Sequence, residues 1–136
     1  MSNYTWTVCE PDVREVIQKG SIQKELILAT FENHPWMDRL RKIADMNDND
    51  VCFSPSVGFQ NEDTNQGVEF SIVGKEDKYE FYIFYNRPAI IKTLGLFKRK
   101  VDNHLSNITG QTKEDAIKFL EAFLNNDKDY MEAKMK

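Results

Sequence analysis

The sequence predicts a single α+β domain: N-terminal helices, then an antiparallel meander of three to four strands, then a C-terminal helix packed on the sheet. Three observations carry this. Apolar residues recur at helical spacing in the first and last thirds of the chain and at a period of two in the middle. The two regimes form separate blocks, which favours an antiparallel sheet over an alternating parallel α/β arrangement. The length of 136 residues suits one domain, 1–136, that buries roughly two-thirds of its unfolded surface.

The elements follow in order. Pro11 and Asp12 suit a first helical turn, with Val13, Val16 and Ile17 on one side and Gly20 as the stop. Ser21 can cap a second helix bearing Ile22, Leu26 and Ala29, although Leu26-Ile27-Leu28 also fits a strand. His34-Pro35 breaks it. Pro35 then opens a third helix with Trp36, Leu40 and Ile43 on one face, ending in the polar run 45–50.

In the middle third, Val51, Phe53, Val57 and Phe59 alternate around Pro55, which marks an edge strand or a bulge. After a turn-rich loop at 61–66, Val68, Phe70 and Ile72 alternate with Glu69 and Ser71. A second turn at 74–78 leads into residues 79–85, the strongest strand pattern in the chain. Its aromatic and β-branched side chains fit a pleated surface. Pro88 interrupts, and 89–97 is a candidate fourth strand weakened by Gly95. Thr112 can cap a helix from Lys113, with Glu114 and Asp115 at the positive end of its dipole. Ala116, Phe119 and Phe123 join Ile117, Leu120 and Leu124 in a wide apolar stripe, and a weaker segment holds Tyr130, Met131 and Met135.

Composition limits the function classes. Eighteen basic and 22 acidic residues give a net charge of -4, which disfavours a nucleic-acid partner. The basic cluster Lys98-Arg99-Lys100 reads as a solvated edge. No apolar run approaches the roughly 20 residues of a membrane span, and the first twenty residues carry Glu10, Asp12 and Arg14 with no leader-like apolar stretch. A cytoplasmic protein with Cys9 and Cys52 as reduced thiols is expected, with no membrane association.

No motif for catalysis or cofactor binding is found. The two histidines, His34 and His104, and the two cysteines lie too far apart for a zinc site read from spacing. The acidic run 45–50 lacks the central glycine of a calcium loop, and the twelfth position falls on Ser56 rather than glutamate. There is no glycine-rich phosphate loop and no nucleophile elbow. A cysteine paired in space with a histidine is the route to an enzyme that the sequence leaves open. No cofactor and no metal are expected, and a non-enzyme is the favoured reading.

The remaining signals concern binding. In the run 79–85, Tyr79, Phe81, Ile83 and Tyr85 alternate with Tyr82 and Phe84. Helices on both faces of the sheet would bury all of them; an open face would leave Tyr82 and Phe84 as an aromatic patch of the kind that marks partner surfaces. Glu62-Asp63 and Glu76-Asp77 sit in the connections, either as solvated turns or, if they converge at one end, as an anionic rim for a basic partner. The leading expectation is a non-catalytic protein-binding module using Glu62, Asp63, Glu76, Asp77, Tyr82 and Phe84. The alternative is a small-molecule binder or small enzyme with a pocket between sheet and helices lined by Trp36, Tyr82, Tyr85, Arg87 and His104. Homodimerisation through the meander is a third.

The segment Ile108-Thr109-Gly110-Gln111-Thr112-Lys113-Glu114-Asp115-Ala116, followed by Phe119-Leu120 and Phe123-Leu124, resembles the last helix of several small bacterial immunity proteins. The mildly acidic, aromatic-rich character of the whole chain is similar to theirs. The resemblance implies a partner of the toxin or enzyme type, neutralised by occlusion. It assigns no functional residues.

Overall fold

A computed structural model describes residues 3–93 and 97–136, and the side chains among them other than those of 90–99 and 102. The chain opens with strands where helix was expected. β1 (Tyr4–Cys9) and β2 (Ile17–Ile22) pair as an antiparallel hairpin. Tyr4, Trp6 and Val8 alternate with threonines, a pattern of β-branched and aromatic residues that fits a half-buried strand. Gly20 does not stop a helix. At φ +89° it supplies the backbone conformation of a bulge where the β1–β2 register shifts between Trp6 and Thr7.

Two helices follow. α1 (Lys24–Asn33) begins after Gln23 rather than at Ser21, and it absorbs Leu26-Ile27-Leu28 as helix, with Ile27 and Phe31 buried. α2 (Trp36–Ala44) starts directly after Pro35. A single 3-10 turn at Asp48–Asp50 leads to β3 (Ser56–Asn61), which begins only after Pro55, so Val51 and Phe53 lie outside it. β4 (Gln66–Lys75), β5 (Lys78–Thr93) and β6 (Phe97–Gln111) complete the sheet, and α3 (Lys113–Leu124) and α4 (Lys128–Lys134) close the chain.

The sheet therefore has six strands in the order β2-β1-β3-β4-β5-β6, every neighbour antiparallel, instead of three to four. The N-terminal hairpin contributes two of them. Pro88 does not end β5: the strand passes through it with an irregular register between Arg87 and Ala89, where the missing N–H is tolerated. The expected fourth strand at 89–97 is thus divided between β5 and β6, with 94–96 outside the described residues. Beyond Asn86, the last β5 residue paired to β4, β5 pairs among the described residues only with β6, as a two-stranded ribbon.

The alternation along β1, β3, β4 and β5 sends Tyr4 and Val8, Val57 and Phe59, Val68, Phe70 and Ile72, and Phe81, Ile83 and Tyr85 to one face. The four helices of the described residues bury apolar side chains there, including Phe31, Trp36, Leu40, Phe119, Phe123 and Met131. Ring centroids lie 4.9 Å apart for Phe31 and Phe70, 5.1 Å for Trp36 and Phe81, and 5.8 Å for Tyr85 and Phe119. Burying each such ring contributes roughly 2–3 kcal/mol. A one-residue slip of any central strand would turn its set outward, so the core fixes the register.

Local chemistry secures the helices. Thr112 Oγ1 accepts from the Asp115 N–H at 3.1 Å, the cap expected from sequence, and Asp115 Oδ2 adds the return bond by accepting from the Thr112 N–H at 3.0 Å. Arg87, only 4% exposed, ties α4 to the sheet: its Nε donates to Glu132 Oε2 at 3.0 Å and its Nη1 to Ser106 Oγ at 2.8 Å. No helix among the described residues is long and apolar enough to cross a membrane.

Candidate functional site

The sheet face opposite the helices presents residues of β1, β3, β4, β5 and β6. Antiparallel pairing arranges them in transverse rows. One row runs Cys9, Ser56, Ser71 and Tyr82. The next runs Thr7, Gly58, Glu69, Phe84 and Asn107, and the third Thr5, Gln60, Gly67, Asn86 and Leu105. Residues of the second and third rows other than Asn107, together with Trp6, Phe59 and Val68 between them, line a groove of about 400 Å³.

Two glycines make the groove. Gly58 on β3 and Gly67 on β4 are diagonal neighbours and place no side chain in it. A Cβ at Gly58 would lie 2.9 Å from Thr7 Oγ1 and 3.5 Å from Glu69 Oε1, and one at Gly67 would collide with the amide end of Gln60. Glycine in a strand interior weakens the strand, and here it leaves room for the Thr7, Glu69 and Gln60 side chains to close over the backbone. The first row has no such gap: Ser56 and Ser71 are buried and share a 2.6 Å hydrogen bond, which closes the groove toward Tyr82.

Glu69 is the only charged side chain among the groove residues. Its carboxyl forms no ion pair or hydrogen bond among the described residues, and burial alone raises its pKa above the ordinary glutamate value. Asn86, diagonal to Glu69 across the β4–β5 pair, has a buried Oδ1 that accepts from no donor of the described chain. Such an unpaired acceptor costs free energy until a donor reaches it. Phe84 and the 60% exposed Leu105 supply apolar surface beside these acceptors. Next to the groove, the Cys9 thiol is pushed up to about 11, by burial first and then by the charges of Glu69 and Glu10, which leaves it an inert thiol.

The residues singled out from sequence are scattered. Tyr82 and Phe84 lie on the face opposite the helices, each half-buried rather than fully exposed, and Phe84 lines the groove while Tyr82 sits one row away. The two acidic pairs are not brought together. Glu62 and Asp63 follow β3, and Glu76 and Asp77 follow β4, so ten residues of strand, about 30 Å, separate them at opposite ends of the sheet. Three of the four have partners within the chain. Glu62 accepts from Thr5 Oγ1 at 2.7 Å, Asp63 from the Asn3 N–H at 2.9 Å, and Glu76 pairs with Arg41 at 2.9 Å.

Between sheet and helices, Trp36, Tyr85 and Arg87 are buried in packed surroundings. A second cavity of about 310 Å³ lies at the edge of that layer, beside His34, Trp36, Tyr79 and Lys113. Burial drives the His34 pKa down to about 4, so its imidazole is neutral at physiological pH. Among the described residues no group of three or more His, Cys, Asp or Glu side chains could hold a metal ion.

Sequence reasoning passed over Glu69, Asn86, Gly58 and Gly67. The signal was present: two glycines inside strand patterns, one of them two residues from a glutamate on the polar side of an alternating run. Compared with known proteins, the chain matches no family model, no curated protein and no solved structure.

Proposed function

We propose that the protein is a non-catalytic protein-binding module that presents the uncovered face of its sheet to a basic partner protein. The observation that carries this is the groove itself, an apolar-edged site whose sole charge is a half-buried, unpaired carboxylate. Unpaired ionisable groups in clefts are where binding free energy is stored, because the partner supplies the missing counter-charge. Phe84, Tyr82 and Leu105 add the aromatic and aliphatic contact area that interface cores use. In its sharpest form the module is an inhibitor that occludes its partner's site, as the resemblance to immunity proteins implies. The groove volume, within the roughly 300–1,000 Å³ of ligand pockets, favours a small cationic molecule as a second reading.

Affinity capture from the native lysate at low and high salt separates the two. The native chain is expected to retain one stoichiometric protein, released at high salt because charge pairing is screened. Phe84→Arg, which places a cation beside Glu69, is expected to lose that protein, and Glu121→Arg on the exposed side of α3 to keep it. Undiminished capture by Phe84→Arg overturns the proposed face. Capture of no protein at either salt moves the assignment to the small ligand.

A further inference from the structure

We infer that the groove is a receptor for one lysine or arginine side chain of the partner, with Glu69 as counter-ion and the Asn86 side-chain oxygen as second acceptor. This rests on the protein-binding reading above and specifies what the partner must bring. Three features select the occupant.

The first is the donor–acceptor balance. Glu69 and Asn86 Oδ1 both accept, and neither has a donor among the described residues. An occupant without N–H or O–H groups would seal two acceptors from water, and an anion would face Glu69 directly. An ammonium brings three donors and a guanidinium five.

The second is spacing. Glu69 stands opposite Phe84 and Asn86 opposite Gly67, which makes Glu69 and Asn86 diagonal neighbours roughly 7–8 Å apart at the backbone. Glu69 Oε1 lies over Gly58, 3.5 Å from the point a Cβ there would occupy, with Thr7 Oγ1 2.9 Å from the same point, which sets the carboxylate among the groove residues. A single cationic head that displaces the mobile amide end of Gln60 from above Gly67 can donate to both acceptors.

The third is the wall. Phe84 and Leu105 border the same space, and the methylene stem of a lysine or arginine packs on such surface while its head is paired. Leu105 is exposed and continues the face beyond the groove, which suits a side chain projecting from a larger body better than a free amine.

The test is a titration of the isotopically labelled chain, followed by amide NMR, with Nα-acetyl-lysine amide, Nα-acetyl-arginine amide and the uncharged Nα-acetyl-norleucine amide. The cationic probes are expected to shift the Gly58 and Gly67 amides and the Asn86 side-chain NH₂ saturably, and the norleucine probe to leave them in place. Glu69→Gln, which preserves shape, is expected to weaken binding by roughly tenfold or more with the rest of the spectrum unchanged. Gly67→Val, which fills the groove with only the mobile end of Gln60 to displace, is expected to abolish it. Equal shifts from norleucine, shifts that survive Glu69→Gln, or no shift at all overturn the receptor. The two readings fail separately. Saturable cation binding alongside partner capture indifferent to Phe84→Arg removes the docking face and keeps the receptor. Capture that depends on Phe84 without cation binding does the reverse.

Discussion

Glu69 and Glu132 carry the same carboxyl group in opposite settings, and the contrast separates binding from stability. Glu132 is held below the ordinary range, chiefly by hydrogen bonds from Arg87 and further by the guanidinium's charge. Its contribution to folding is complete above the ordinary glutamate pKa and is lost as pH falls through the depressed folded value. Glu69 is raised by burial with no compensating partner, so its sign is reversed. Relative to the unfolded chain, folding shifts this carboxyl toward its protonated form, and the cost of burying the charge is absent below the unfolded pKa and complete above the folded one. Glu69→Gln is therefore expected to stabilise the free protein at pH 7 by about 1 kcal/mol, seen as a rise of a few degrees in Tm. The gain should vanish on acidification toward the unfolded glutamate pKa. A Tm at pH 7 equal to or below that of the native chain would contradict an unpaired carboxylate in the groove. From sequence, Glu69 was visible only as the polar member of Val68-Glu69-Phe70. Its isolation depends on Gly58 across the β3–β4 pair and on Phe84 across the β4–β5 pair, neighbours that local sequence cannot supply.

Elements whose stabilising contacts are local were legible, and those defined by distant pairing were not. α3 has its cap, its acidic first turn and its apolar stripe within a dozen residues, so Thr112 and the Phe119–Phe123 face could be read directly. β1 acquires its identity from β3: Tyr4 stands opposite Asn61 and Val8 opposite Val57. Without that pairing, Pro11, Asp12 and Gly20 resemble helix punctuation. Pro88 misled in the same way, since a bulge next to Arg87 lets β5 continue. Arg87 shows how much an element can hang on one side chain. It is nearly fully buried, spans β5, β6 and α4, and bonds the Tyr85 and His104 carbonyls as well as Glu132. Arg87→Gln is expected to cost about 2 kcal/mol, discounted because Glu132 is partly solvated, and to release α4 first. Hydrogen exchange should then accelerate across Lys128–Lys134 while α3 stays protected. Uniform acceleration over the whole chain would contradict a local anchoring role.

At the scale of the molecule, the decisive property is asymmetry. All four helices gather on one face of a six-stranded sheet, where Phe31, Phe70, Phe81 and Phe119 interlock. The other face keeps two glycines, an unpaired carboxyl, an orphaned amide oxygen and an exposed leucine. The placement of Tyr82 and Phe84 on one side of β5 was legible from a period of two. Which side the helices would cover was not, because Phe81, Ile83 and Tyr85 are only slightly more apolar as a set. The acidic turns, prominent in sequence, lie at opposite ends of β4 and are mostly partnered within the chain. The central claim is that partner recognition uses the sheet face and not the helical one. Hydroxyl-radical footprinting of the captured complex tests it most directly, since it reports side-chain accessibility face by face. Protection of Phe84 and Leu105, with Leu26 on α1 oxidised as fast as in the free chain, is the result the account predicts. Protection of Leu26 with Phe84 and Leu105 unchanged would contradict it.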